Sequence, residues 1–230
     1  MEINKLYQGD TIFRGKDFDL GNFRRFLHYP AERSLPDNIS GFLDRSLIPE
    51  LTQHPVSEQY RIVPISLRNA KLKQVELIEQ IQFTGPVIYN LLAHCDHVVV
   101  HILSTQSNVY SDDWKSFVSY CFYNTLIQSS SEELRKKIVS ELNIPDSQLT
   151  QRYAPGYCGW PLQDQKSIID LLNPEAMGVS LDSSMSLQPA QTITGIYGVR
   201  KSSMIRENMP CYKCTSISCG VHYDFAKELA

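Results

Sequence analysis

The most informative segment of the chain is Arg152-Tyr153-Ala154-Pro155-Gly156-Tyr157-Cys158-Gly159-Trp160-Pro161. It combines two prolines, two glycines and three aromatic residues with one arginine, and it leads into a predicted helix. Glycine lets a ligand approach the backbone closely, whereas proline makes a loop stiff. From composition alone, a structural loop that caps a core is the favoured interpretation, and a rigid ligand-binding loop is the alternative.

The polar and aromatic groups of this loop indicate the kind of ligand. Backbone N–H groups at the start of a helix suit a carboxylate or another anion. Arg152 can clamp a carboxylate through two parallel hydrogen bonds. Tyr157 or Trp160 can stack on a base or face a cation. A carboxylate, a cation and a base occur together in a ligand that joins an amino acid to a nucleoside through a sulfonium group.

The loop resembles the signature of the activation domain of cobalamin-dependent methionine synthase, Arg-x-x-Pro-Gly-Tyr followed by a small residue. It is still more similar to free-standing members of that family, which carry Arg-Tyr-x-Pro-Gly-Tyr-x-x-Trp-Pro-Leu and then a glutamine, here Gln165. Further resemblances extend over about residues 24–200, and they are strong after Leu149 and patchy before it. They lie at residues 25–29, 92–99, 177–185, 189 and 193–197.

The resemblance implies an α+β fold, a C-shaped domain with a twisted antiparallel sheet and flanking helices. It also implies that S-adenosylmethionine lies across the inner surface of this domain. Arg152 would hold the methionine carboxylate, and the backbone near Ala154, Gly156 and Tyr157 would contact the nucleoside. The complete set of predicted S-adenosylmethionine-binding residues is Arg152, Ala154, Pro155, Gly156, Tyr157 and Trp160.

The function implied by the resemblance is the reactivation of an oxidised corrinoid. One electron from a flavodoxin-like or ferredoxin-like donor and a methyl group from S-adenosylmethionine convert cob(II)alamin into methylcobalamin. Because this in-line methyl transfer depends on positioning, we expect no catalytic acid, base or nucleophile. The chain has no Asp-x-His-x-x-Gly pattern that carries a lower ligand to cobalt. The cobalamin is therefore expected on a separate methionine synthase or related corrinoid methyltransferase.

A non-catalytic module that senses S-adenosylmethionine or docks a partner is the alternative function. Family members carry a helix that begins with small residues near the corrinoid, whereas residues 113–128 predict a helix with bulky Trp114, Phe117 and Tyr120. This difference favours the alternative. The apolar face of that helix is interpreted as core, with an aromatic ligand surface as the second interpretation.

Composition excludes several classes of protein. Hydrophobic residues make up 42% and charged residues 20% of the 230 residues, which is typical of a globular protein. A net charge of −3 argues against nucleic-acid binding, which requires a basic surface. No apolar run approaches the roughly 20 residues that span a bilayer, and residues 1–6 do not resemble a secretory signal. The predicted location is the cytoplasm.

The spacing of apolar residues predicts helices and strands without regular βαβ alternation, in agreement with the α+β class. Predicted helices cover residues 17–29, 37–52, 87–93, 113–128, 131–142 and a segment after Pro161. Predicted strands cover residues 60–67, 98–103 and 192–199. Pro64 assigns the first strand to an edge or a bulge, and Gly195 and Gly198 predict close approaches in the last.

The C-terminal residues contain a cluster of metal-ligand type, which divides the chain into a domain at residues 1–206 and a cysteine-rich tail at 207–230. The pattern Cys211-x2-Cys214-x4-Cys219 with His222 suits zinc or an iron–sulfur cluster. A flexible reduced tail is the alternative. His94, His97 and His101 are expected to be strand or core residues rather than ligands.

Protein purified without oxygen is expected to contain zinc or iron, because three thiolates and one imidazole complete a tetrahedral ligand set. Metal analysis of the wild-type chain and of a Cys211→Ala/Cys214→Ala variant measures this. Metal in the wild type that the variant lacks supports the site. A wild-type chain without zinc or iron contradicts it.

Overall fold

The structure, a computed structural model, describes residues 4–11, 18–51, 55–107, 110–157 and 159–202. An antiparallel sheet in the strand order β4-β3-β2-β5-β8 forms its centre, and β1 also pairs with β2. The strands of this sheet are β1 (Leu6–Thr11), β2 (Val56–Asn69), β3 (Gln74–Leu77), β4 (Gln82–Thr84), β5 (Cys95–Ser104) and β8 (Thr192–Arg200). A separate hairpin joins β6 (Ser180–Leu181) to β7 (Leu187–Gln188).

Six α-helical segments flank the sheet within the described ranges. They are α1 (Leu20–Phe26), α2 (Asp37–Phe42), α3 (Ile48–Glu50), α4 (Pro86–Leu91), α5 (Asp113–Leu142) and α6 (Gln165–Leu172). A wider π-helical turn at Leu43–Leu47 connects α2 directly to α3. The predicted α+β class, with an antiparallel sheet and flanking helices, is confirmed.

Strand β2 lies inside the sheet, so the prediction that Pro64 places it at an edge is wrong. One side of β2 pairs with β5, while the other pairs with β1 up to Arg61 and with β3 from Ile65 onward. The carbonyl of Ile62 accepts a hydrogen bond from Asn4 on this second side. Pro64 lies two residues further along β2, so its backbone nitrogen points to the same side of the strand. On that side, Pro64 falls in the gap between the residues that pair with β1 and those that pair with β3. A register shift follows directly, which confirms the predicted bulge.

Two apolar cores lie on opposite faces of the sheet because successive side chains of a strand alternate. Val99 and Leu103 of β5 belong to the core beneath α5, whereas Val98, Val100 and Ile102 belong to the core beneath α6. The predicted strand at residues 98–103, buried on both faces, is therefore confirmed and extends over Cys95–Ser104.

Helix α5 is a single helix of 30 residues, although the sequence predicted two helices separated near residues 129–130. Serines often compete with the helical backbone for hydrogen bonds, which explains the predicted break. Here Ser130 and Ser131 are buried, and the Ser131 hydroxyl lies 3.3 Å from the Tyr197 hydroxyl of β8. The small side chains thus allow the helix to continue close to the sheet.

The aromatic face at the start of α5 is only partly core. Val118, Cys121 and Phe122 are buried, whereas Trp114, Phe117 and Tyr120 are 41%, 50% and 53% exposed. Because successive helical residues are about 100° apart, Phe117 and Tyr120 lie to one side of the buried arc, whereas Trp114 lies on that arc in the first turn of the helix. The interpretation of the apolar face of this helix as core is therefore wrong for its first turns.

No helix in the described ranges is long and apolar enough to cross a membrane. The proposed boundary between residues 206 and 207 falls outside the described residues and stays a prediction.

Replacing Gly198 with alanine is expected to lower the free energy of unfolding by about 1–3 kcal/mol, because the core has no room for the added methyl group. A Cβ atom there would lie 2.5 Å from the Cys95 sulfur and 2.9 Å from Leu92. Urea denaturation measures the change. Gly9→Ala is the control, since its Cβ would meet nothing nearer than 3.5 Å. Equal stability of the Gly198→Ala protein and the wild type would contradict this packing.

Candidate functional site

The segment before the loop closes the outer edge of the sheet. Strand β8 pairs with β5 on one side, and residues 149–153 lie along its other side. Tyr153 N–H donates to the Ile196 carbonyl at 3.0 Å, and Ile196 N–H donates back to the Tyr153 carbonyl at 2.8 Å. Thr150 N–H donates to the Gly198 carbonyl at 2.9 Å, and its hydroxyl accepts the Gly198 N–H at 2.8 Å. These bonds anchor the loop to β8, where Ile196 is fully buried.

The loop itself is closed by short backbone hydrogen bonds. Gly156 N–H donates to the Trp160 carbonyl at 2.8 Å, and Trp160 N–H donates to the Tyr157 carbonyl at 2.9 Å. Gly156 and Gly159 have φ angles of +87° and +84°, a region that favours glycine. The rigidity that the sequence predicted therefore has a direct structural basis.

Trp160 holds the loop from below. Its ring is 1% exposed and stacks parallel to Tyr153, with 5.5 Å between centroids. Its indole N–H donates to Asp164 Oδ2 at 2.7 Å, and the same oxygen accepts the Thr84 N–H at 2.8 Å. This places Trp160 as a support of the loop, with its faces covered by protein.

The side chain of Arg152 lies on the face of the sheet beneath α5, and the side chain of Tyr153 lies on the opposite face. Arg152 Nη1 donates to the Thr194 carbonyl at 3.1 Å. Among the residues that the structure describes, Arg152 has no carboxylate within salt-bridge distance. A half-buried guanidinium with one backbone partner retains further N–H donors and an uncompensated charge. It is therefore suited to an external carboxylate.

Gly195 provides the space that Arg152 occupies. A Cβ atom on Gly195 would lie 3.1 Å from Arg152 Cγ, 3.1 Å from the Tyr153 carbonyl oxygen and 2.8 Å from His101 Nε2. The close approaches predicted for Gly195 and Gly198 are thus confirmed. These close approaches at Gly195 exist because β5, β8 and the segment that contains Arg152 and Tyr153 meet at this point.

His101 of β5 is fully buried beside Arg152, in agreement with its prediction as a strand and core residue. Its ring stacks on Tyr197 with 5.2 Å between centroids. Neither ring nitrogen has a hydrogen-bond partner within the described part of the chain. Burial, and then the charge of Arg152, holds the pKa of His101 well below its usual value. The imidazole is therefore neutral at physiological pH.

The predicted ligand-binding residues occupy two levels of this site. Gly156 and Tyr157 are exposed, with 48% of the Tyr157 surface accessible, and they form the outer surface of the loop together with Gly159. Ala154, Pro155 and Trp160 are buried beneath it. Sequence analysis assigned no role to Asp164 or Thr194, because nothing in their sequence neighbourhood indicates the bonds that they make.

The predicted metal ligands Cys211, Cys214, Cys219 and His222 lie outside the described residues. Within the described ranges, no group of three His, Cys, Asp or Glu side chains could hold a metal ion. His94 is exposed in the turn before β5, so its prediction as a strand or core residue is wrong. It lies next to Arg68, Asp96 and Lys201 around an open cavity of about 320 Å³. That cavity lies at the far end of β8 from Gly195, so Arg152 and the loop define the candidate site.

Comparisons with known proteins agree on one group. A family model described as "Vitamin B12 dependent methionine synthase, activation domain" matches residues 92–207, about half of the chain. A solved structure titled "Crystal Structure of the MetH Reactivation Domain bound to AdoHcy" is similar with a TM-score of 0.63 at 12% sequence identity. The match covers 90% of this chain and 82% of that chain. No curated protein matches the chain. The structural similarity confirms the predicted fold.

Trp160→Phe is expected to lower the free energy of unfolding by about 1–3 kcal/mol, because it removes the indole donor and leaves a gap beside Tyr153. Tyr157→Ala is the matched control on the same loop, and its effect should stay within about 1 kcal/mol because the ring is exposed. Chemical denaturation measures both variants. An equal loss in the two variants would contradict the division into a supporting and an exposed aromatic residue.

Proposed function

Because the chain belongs to the family of vitamin B12 dependent methionine synthase activation domains, we propose that it binds S-adenosylmethionine and reactivates a corrinoid. The loop around Arg152 is the proposed binding site. The methyl acceptor is cobalamin on a separate methionine synthase or related corrinoid methyltransferase, reduced by a flavodoxin-like or ferredoxin-like protein.

The observation that carries this proposal is the state of Arg152. Its guanidinium is anchored to one backbone carbonyl and, within the described ranges, has no carboxylate partner. An amino-acid carboxylate would supply the missing charge through two parallel hydrogen bonds. The exposed backbone at Gly156 and the accessible ring of Tyr157 lie a few residues away and suit the nucleoside. The related domain of known structure is described as bound to AdoHcy, which has the same amino-acid end and nucleoside.

The arrangement fits a reaction that depends on positioning. S-adenosylmethionine supplies the methyl group, and an in-line displacement needs that group aimed at its acceptor. The loop is closed by its own backbone bonds and anchored by Trp160, so a bound ligand would be held in one orientation. Arg152 would fix one end of the ligand and the Gly156–Tyr157 backbone the other. No proton transfer by the chain is required.

A second candidate function is a module that binds S-adenosylmethionine or docks a partner without methyl transfer. The half-exposed aromatic residues Trp114, Phe117 and Tyr120 favour it, since they stand on the helix that begins with small residues in the family. In both functions the tail at residues 207–230 is proposed as a separate unit that binds zinc or an iron–sulfur cluster.

Arg152→Met is expected to weaken S-adenosylmethionine binding at least about tenfold, because a charge-assisted contact to the carboxylate is lost. Calorimetric titration of the wild type and the variant measures this. Arg61→Met is the matched control, since Arg61 is also half-buried but pairs with Glu79 away from the loop. Unchanged binding by the Arg152→Met chain would contradict the assigned site.

The same proteins then distinguish the two functions. They are mixed with S-adenosylmethionine, an electron source and a cobalamin-loaded methionine synthase that lacks its own activation domain. A methylcobalamin absorption spectrum that forms with the wild type and fails with Arg152→Met supports reactivation. Tight binding of S-adenosylmethionine without methylcobalamin would favour the non-catalytic module.

A further inference from the structure

His101 is the group in the site that the proposed function leaves unexplained. A buried polar atom without a hydrogen bond is costly, and native proteins contain few of them. His101 carries two such nitrogen atoms, in the middle of the central sheet and next to the proposed carboxylate clamp. An apolar side chain at this position would have avoided the cost. The imidazole is therefore expected to have a polar role beyond the contacts that it makes with the described residues.

The geometry points to Arg152 as the partner. His101 Nε2 and Arg152 Cγ lie 2.8 Å and 3.1 Å from the same point, the place where a Cβ atom of Gly195 would stand. Arg152 Nε is two bonds beyond Cγ, so rotation about the side-chain torsions brings it within reach of the imidazole. Gly195 is the residue that keeps this space open.

The electrostatics give the direction of the bond. Burial and the charge of Arg152 both disfavour the protonated imidazole, and a neutral imidazole has one nitrogen that accepts. Arginine offers a separate Nε–H beside its two terminal nitrogens. A carboxylate that takes the terminal nitrogens leaves the Nε–H free for an acceptor on the protein side.

We propose that His101 is a positioning residue for Arg152: its imidazole accepts a hydrogen bond from Arg152 Nε–H when a bound carboxylate draws the guanidinium off the Thr194 carbonyl. The contact fixes the direction in which the guanidinium presents its terminal nitrogens. It also satisfies one of the two orphaned ring nitrogens. This inference rests on the proposed binding of S-adenosylmethionine at Arg152 and adds a residue to that site.

The test compares two probes, S-adenosylmethionine and 5′-methylthioadenosine, which lacks the amino-acid end. His101→Phe keeps a flat ring and removes the acceptor, and it is expected to weaken S-adenosylmethionine binding about tenfold. Binding of 5′-methylthioadenosine should not change. His101→Gln supplies an amide oxygen and should recover part of the lost affinity. His97→Phe, on the same strand but paired with Pro64 and Val199, is the control and should bind both probes normally.

Two further readouts separate positioning from a structural effect. In an Arg152→Met background, His101→Phe should cause no additional loss, because the two residues act as one unit. The ¹⁵N signal of His101 Nε2 should shift on addition of S-adenosylmethionine and not on addition of 5′-methylthioadenosine. His101→Phe should fold at least as stably as the wild type, since it removes unpaired polar atoms.

Several results would overturn the inference. They are wild-type affinity of His101→Phe for S-adenosylmethionine, an equal loss for both probes, or a full additional loss in the Arg152→Met background. In these cases the wild type still binds S-adenosylmethionine, so the proposed function stands. A wild type that binds neither probe would instead refute the proposed function, and this inference with it.

Discussion

The pairing of residues 149–153 with the outer edge of β8 is the contact on which the site depends. An open edge exposes unpaired N–H and C=O groups, and here the segment before the loop satisfies those of Ile196 and Gly198. The same pairing sends Arg152 and Tyr153 to opposite faces of the sheet. One face receives the charged clamp, and the other receives the aromatic stack that carries Trp160. The proposed binding site and the support of the loop thus lie on opposite faces of one short extended segment.

In this arrangement, one set of residues makes the loop rigid and another set is exposed to solvent. Trp160, Tyr153 and Asp164 hold the loop through buried contacts, while Gly156 and Tyr157 stay accessible on its surface. A site that acts by positioning benefits from such preorganisation, because little conformational freedom is lost when the ligand binds. Arg152, which has no carboxylate partner within the described ranges, would supply the electrostatic attraction to the proposed ligand, and glycine at position 195 supplies the space for its side chain.

Most of the fold was predictable where the apolar pattern was strong. The continuous apolar run of β5 and the β-branched residues of β8 predicted both strands, and the prolines and glycines of the loop predicted a rigid turn. Strands β1, β3 and β4 were missed because they are short and largely polar, and β1 in addition pairs with a strand that is distant in sequence. The serines of α5 suggested a break, since their burial against Tyr197 depends on the sheet that the helix covers.

The family resemblance, the fold class and the loop that carries the proposed site were predictable from the amino-acid sequence, because those properties depend on residues that are neighbours along the chain. Which aromatic residue supports the loop and which faces solvent became clear from the folded chain. So did the position of His101 beside Arg152, since 51 positions in sequence separate the two residues. Their contact exists because β5, β8 and the loop segment meet at Gly195, and strand pairing of this kind cannot be read from local periodicity.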